Sequence, residues 1–349
     1  MELQIEVSRV LGYDEILRTM VFILLPYNPR EHRHPNVSNS PTSQETLTKW
    51  YQDCLGNHAE CRSLFDWPYI PHRLIDIGEP GHRWGGTQPL QLLMHNMAQL
   101  KEGISRQSLP RVFSDAIAIC WQLGIRYLWI DSLCICQDSE EDWNRESGLM
   151  GIIYTQAIIN IAATAAVNSD GSLFSSMGGN PSVGLISWGV VPGREYIVVE
   201  NNLEWAKGFS HQPLLRRAWV MQERLLATRM IHFAGSELIW ECRTLTATES
   251  YPVQVPSVLR SFHERRNRFW KTDFTEDDGA WSVLIQDYSK CELTFSKDKL
   301  VALSGLVSIL NSRGLSRGRF FVGITWEMVR PSNQRAPSWS WASLDCPVW

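Results

Sequence analysis

The sequence predicts an α/β fold, a parallel sheet with helices on both faces, followed by a more irregular, tryptophan-rich α+β region at the carboxyl end. Three observations carry this expectation. The runs Tyr127–Ile130 and Ile158–Ala163 are short and almost wholly apolar, as strands buried on both faces are. Each follows a segment with one apolar helical face and a recognisable start signal. The resulting order of helix, strand, helix, strand is the pattern of parallel strands joined by covering helices.

Residues 1–48 read as an amino-terminal segment ending in a polar loop, because 27–48 is rich in Pro, Ser and Asn and has no periodicity. A helix is expected over Leu47–Leu64, with Cys54, His58 and Cys61 at i, i+4 and i+7 on one face. Thiolate and imidazole are zinc ligands, but a structural zinc takes four of them. The nearby sequence offers only His72 as a fourth, beyond Pro68 and Pro71, so the three are read as a small buried face and no metal is assigned. Ser108 and Pro110 open the next helix; Val112, Phe113, Ala116, Ile117, Cys120 and Leu123 form its apolar face and Gly124 stops it. The strand 127–130 is closed by Asp131, where ligands gather in parallel sheets, beyond strand carboxyl ends. Ser139, with Asp142 three residues on and Glu140 and Glu141 between, caps a helix that Trp143, Met150, Ile153, Tyr154 and Ala157 continue. Further elements are expected as a strand at Tyr196–Glu200, a helix at Leu214–Leu226, a hairpin of Met230–Phe233 and Leu238–Cys242 around Ala234-Gly235-Ser236, a charged solvated helix in 260–278, a helix from Leu300 to Leu310 and a strand at Trp339–Leu344.

Composition narrows the function. Of 349 residues, 33 Lys+Arg against 37 Asp+Glu leave a net charge of −4 with no basic stripe, which argues against a dedicated nucleic-acid binder. The longest apolar tract, Ile152–Val167, is interrupted by polar residues and falls short of a membrane span. Eight cysteines without a secretion signal read as reduced thiols, so a soluble, cytoplasmic protein is expected. Sixteen tryptophans supply large anchors for a core or for stacking a planar ligand. Walker loops, GxSxG elbows, HExxH motifs and internal repeats are absent from the sequence.

Four segments together resemble the fungal heterokaryon incompatibility (HET) domain family. The central match is IRYLWIDSLCICQDSEEDWNRESGLMGIIYTQAIINIAATAA, residues 125–166. RWGGTQPLQLL (83–93) and LPRVFSDAI (109–117) resemble the family's upstream blocks, and RRAWVMQERLLATRMIHF (216–233) its third block. KDKLVALSGL (297–306) and APSWSWASLD (336–345) resemble what commonly follows the domain. The resemblance divides the chain into the segment 1–48, a HET domain over 49–245 and a helical, Trp-rich extension over 246–349. Where relatives carry a hydrophobic strand before the Trp-Gly pair, Ile75–His82 runs almost directly into Arg83-Trp84-Gly85, so that strand is expected to be missing.

The resemblance implies an effector of non-self recognition and programmed cell death that acts by self-association or by docking on a regulator. It also implies a distant likeness to the TIR fold, a flavodoxin-like parallel sheet, some members of which cleave NAD with a glutamate a few residues after a tryptophan. In that light Glu146, following Trp143, is the catalytic candidate, and NAD is the implied substrate. A carboxylate near the ribose stabilises the oxocarbenium-like state of N-glycosidic cleavage. The competing reading makes Glu146 an exposed first-turn acid favouring the helix dipole. Asp131 is a candidate for a ribose, and Trp84 or Trp143 for stacking on a base. Trp129, Trp219, Glu223 and Arg224 are assigned to structure, the last two as a buried ion pair or as contacts to Arg145 and Glu146. Three functions remain open at this point: an assembling cell-death effector, an NAD glycohydrolase, and a repurposed family member serving a metabolic gene cluster.

Overall fold

Helix caps and apolar faces place the first well-defined elements of the computed structural model where local sequence expects them. The structure describes residues 3–9, 18–26, 41–62, 67–78, 91–104, 108–174, 183–187, 195–200, 209, 211–235, 237–255, 269–270 and 278–312. Trp84, residues 79–82 of the stretch expected to lack a strand, and the strand at Trp339–Leu344 lie outside these residues, as does most of 260–278; the start of that stretch, Ile75–Asp76, is a short strand. Within that last segment, Phe269 and Trp270 are buried in a core.

In chain order the strands β1 (Leu3–Arg9) and β2 (Arg18–Pro26) precede helix α1 (Pro41–Asn57). The polar loop expected to reach residue 48 thus gives way to helix at Pro41: Trp50, Tyr51 and Cys54 bury one face of α1, and tertiary packing overrides weak local propensity. Next come β3 (Ile75–Asp76), α2 (Met97–Glu102), α3 (Arg111–Gln122), β4 (Tyr127–Leu128), the short α4 (Asp131–Cys134), α5 (Glu140–Gln156) and β5 (Asn160–Ala162). They are followed by β6 (Val183–Ser187), β7 (Glu195–Glu200), α6 (Ala218–Leu226), β8 (Arg229–Phe233), β9 (Leu238–Cys242), β10 (Thr246–Thr248), α7 (Asp278–Ser289) and α8 (Val301–Ser312).

Two of these elements show the local logic. Gly124 stops α3 with φ +70°, a left-handed conformation that costs glycine little, and the Ile125 amide donates back to the Cys120 carbonyl at 2.8 Å. Ser139 caps α5: its hydroxyl accepts from the Asp142 amide at 3.3 Å, with Glu140 and Glu141 in the first turn.

The sheets correct the expected topology. β8 and β9 are buried along their whole length and sit inside a sheet of order β10-β9-β8-β5, in which only β5 and β8 run parallel, with Ile161 opposite Ile231. β4 is not beside β5. It pairs antiparallel with β3, Ile75 opposite Leu128, and Arg126 locks the pair with a bidentate bridge to Asp76. The all-parallel sheet with 127–130 at its centre is therefore replaced, among the described residues, by a mixed four-stranded sheet, and the flavodoxin-like order is not shown by these ladders. The reason is physical: an apolar run specifies burial, not the strand it pairs with. Leu128 and Ile161 still meet, through side chains packed against one apolar cluster. A separate four-stranded sheet, of order β1-β2-β7-β6, is antiparallel throughout.

Beside the mixed sheet, α5, α6, α7 and α8 form a helical layer. Leu225, Leu226, Leu284, Ile285, Leu303, Leu306 and Leu310 share one buried core. α5 and α8 approach so closely that Gly151 and Gly305 face each other.

Candidate active site

The segment after β4 and the length of β5 form one wall of a cleft of about 940 Å³, within the size range of small-molecule sites. Trp129, Ile130 and Asp131 follow β4 directly, while Asn160, Ile161 and Ala162 belong to β5. Tyr154 enters from α5, Glu223 from α6, and Arg217 from the residue that precedes α6. Tyr69 and Pro71 complete another part of the rim.

Within the cleft Asp131 and Glu223 supply two carboxylates, Tyr154 a phenol and Arg217 a guanidinium. Glu223 hydrogen-bonds to Tyr154, and burial pushes its carboxyl up to about 7, with the Asp131 carboxylate adding to the rise and Arg217 opposing it. Tyr154 is driven well above its ordinary value, first by burial and then by Glu223 and Asp131. Trp129 sets its ring edge-on to Tyr154, with centroids 5.8 Å apart. A carboxyl group shifted toward neutrality beside a second carboxylate is the combination that divides acid and base roles between two similar groups.

Asp131 stands at the rim as the strand-end rule expects; its Oδ1 accepts the Ser132 amide at 2.7 Å. Glu146 is not among the described residues that line the cleft. It is 1% exposed, in the second turn of α5 rather than on its surface, so the exposed first-turn reading is corrected. Its Oε1 meets His72 Nδ1 at 2.9 Å, Arg145 Nε at 3.2 Å and Arg73 Nη2 at 3.5 Å. Asp142 joins this cluster, accepting from Arg73 and Arg145 and from the Cys136 amide. The network ties α5 to residues 72–73, next to Tyr69 and Pro71 of the rim. Trp143 lies in a T-shaped contact with Trp219, centroids 6.2 Å apart, and Lys297 Nζ sits 5.9 Å from its ring centre.

Glu223 and Arg224 do not pair with each other or with Glu146. One α-helical step sends them to different sides. Arg224 makes a bidentate contact with Glu241 of β9, at 2.8 and 2.6 Å, and Glu241 also meets His232 Nε2 at 3.0 Å. With Glu241 1% exposed and His232 fully buried, this is a core ion pair that joins α6 to the sheet. Sequence reasoning named Glu223 only for structure and missed Tyr154 and Arg217 as cleft residues. The signal available was the sequence RRAWVMQER itself, in which Arg217, just before the helix, and Glu223, within it, are six residues apart.

No helix among the described residues is long and apolar enough to cross a membrane. In comparison with known proteins, residues 81–223 match the family model described as Heterokaryon incompatibility protein (HET). Neither the curated proteins nor the solved structures contain a match. The matched span begins shortly before Trp84, runs through α3, β4, α5 and β5 and stops at Glu223, so it takes in both carboxylates of the cleft, together with Asp142, Arg145 and Glu146. Over residues 81–223, less than half of its length, the chain is thus similar to the heterokaryon incompatibility (HET) domain.

Proposed function

We propose that this chain is an effector of non-self recognition leading to cell death, and that the cleft holding Asp131 and Glu223 binds and cleaves an N-ribosyl ligand of the NAD class. The observation that carries this reading is the Glu223 carboxyl, titrating near 7 beside Asp131 and Tyr154 in a cleft of ligand size. In this mechanism Trp129 offers an aromatic face to the base and Arg217 a guanidinium to a phosphate. The Asp131 carboxylate stabilises the ribosyl cation as the C1′–N bond breaks, its electron pair leaving with neutral nicotinamide. Water adds to C1′, and its proton passes to Glu223 and then to solvent. Glu146 acts from behind as a positioning residue, holding residues 72–73 and hence the rim.

The test is nicotinamide release by purified chain supplied with NAD. Glu223→Gln and Asp131→Asn are expected to lower it at least a hundredfold with the fold intact. A wild-type chain that binds and cleaves no NAD overturns the enzymatic part. A second reading, output through self-association or docking on a regulator, is favoured by the exposed apolar side chains of Trp67, Ile70 and Leu74. Expressed in a filamentous fungus, Ile70→Asp should relieve growth arrest without changing nicotinamide release if assembly carries the signal.

A further inference from the structure

The helix expected over Leu47–Leu64 ends at Asn57, yet Cys54, His58 and Cys61 still converge, and they meet a fourth ligand that the neighbouring sequence could not supply. Cys54 lies on α1, His58 just beyond its end and Cys61 in the 3₁₀ turn Ala59–Cys61. Cys242, the last residue of β9, joins them, and the four ligand atoms all lie within 4.8 Å of one another. We propose that these residues form a structural zinc site of the Cys₃His type.

Four observations support it independently of the spacing. Tetrahedral zinc with bonds of about 2.3 Å to sulfur and about 2.0 Å to nitrogen places ligand atoms roughly 3.5–3.8 Å apart. His58 Nδ1 and Cys242 Sγ are already 3.3 Å apart, and the others need contract by no more than about an ångström. The imidazole is oriented as a ligand would be, with Nδ1 facing the cysteines while Nε2 is held by Asp53 Oδ2 at 3.4 Å, the carboxylate–histidine arrangement common behind zinc. The Leu245 amide donates to Cys242 Sγ at 3.2 Å, a contact that stabilises a thiolate. Finally, charge closes. Arg229 is 7% exposed, donates from Nε to Cys54 Sγ at 3.1 Å and from Nη2 to the Cys61 carbonyl at 2.8 Å, and has no carboxylate partner among the described residues. A buried guanidinium needs an anion. Zinc with three thiolates and a neutral imidazole carries one negative charge, which Arg229 neutralises; three neutral thiols leave that cation uncompensated.

All three cysteines are buried and every corner of the tetrahedron is a protein ligand, so the site is closed and structural rather than catalytic. It fastens the end of α1 to the carboxyl end of β9, an inner strand of the mixed sheet. His72, the ligand that nearby sequence offered, is engaged with Glu146 instead.

The test is metal analysis of the full chain purified without chelator. One zinc per chain is expected, and cobalt exchanged into the site should give the intense visible d–d bands and sulfur charge-transfer absorption of a tetrahedral, thiolate-rich centre. Cys242→Ser should lose the metal. Because that loss can also unfold the chain, His58→Cys provides a folded comparison that keeps the metal and strengthens the charge-transfer band by about a third, one thiolate added to three. Asp53→Asn should weaken metal affinity about 10- to 100-fold, and Cys120→Ser should leave the stoichiometry at one. A folded wild-type chain that purifies without zinc and shows no cobalt bands on reconstitution overturns the proposal, as does a Cys54–Cys61 disulfide found by mass spectrometry.

Discussion

Replacing Gly151 by alanine tests whether the helical layer is locked by direct backbone contact. A Cβ at Gly151 would stand 2.6 Å from the Gly305 Cα, 3.4 Å from its carbonyl carbon and 3.5 Å from Leu226 Cδ1. The first of these cannot be relieved by a rotamer change, because the obstructing atom is backbone. Helices α5 and α8 must separate by about an ångström, loosening the packing of Leu226, Leu303 and Leu306 between them. Overpacking of this kind costs about 1–3 kcal/mol, against about 1 kcal/mol gained from alanine's better helix propensity. A net loss of up to about 2 kcal/mol follows, or a fall in Tm of up to a few degrees. Gly148 provides the control on the same helix: nothing lies within 4 Å of its Cβ position, so Gly148→Ala should raise stability by up to about 1 kcal/mol. Urea unfolding followed by tryptophan fluorescence gives both values. The reasoning is refuted if the two alanines shift the midpoint in the same direction.

Three other perturbations follow from the charged groups. Glu146→Gln removes the charge that holds His72, Arg73 and Arg145 and should cost about 2 kcal/mol by denaturant titration, since hydrogen bonds to charged groups contribute about 1.5–3 kcal/mol; a loss of only a few tenths would mark a surface acid. Glu223 has a folded-state pKa raised to about 7, so the fold favours its neutral form, and wild-type stability should fall relative to Glu223→Gln as pH rises from about 4.5 to about 7, then level off. The difference should be no more than about 3 kcal/mol, and less because the carboxyl opens partly onto the cleft; a wild type that gains on the variant across that window contradicts the assignment. Arg224→Met strands Glu241 against His232 alone and should cost about 3–5 kcal/mol, whereas Arg224→Met with Glu241→Met should cost far less, a comparison that a double-mutant cycle reads directly.

The features that one-dimensional patterns foretold are local in origin. The Ser139 cap, the Gly124 stop, the 229–233 and 238–242 hairpin and the apolar faces of α3 and α8 each depend on residues within a turn or two, and sequence patterns record such short-range physics faithfully. The likeness to the HET family model was also legible, because motif order over 81–223 survives whatever the strands pair with. The rest came from long-range packing. Strand 127–128 found Ile75–Asp76 rather than 160–162, a choice that its apolar residues do not encode. Glu146 was buried by Arg73 and His72, more than seventy residues away, where its own helix allowed exposure. The same is true of both sites: Glu223 reaches Asp131 and Tyr154, and Cys242 reaches Cys54, His58 and Cys61, only after sheet and helices have packed. Burial shifts a carboxyl group or confines a cluster of thiols through neighbours supplied by the whole fold, and one-dimensional spacing carries no record of who those neighbours are.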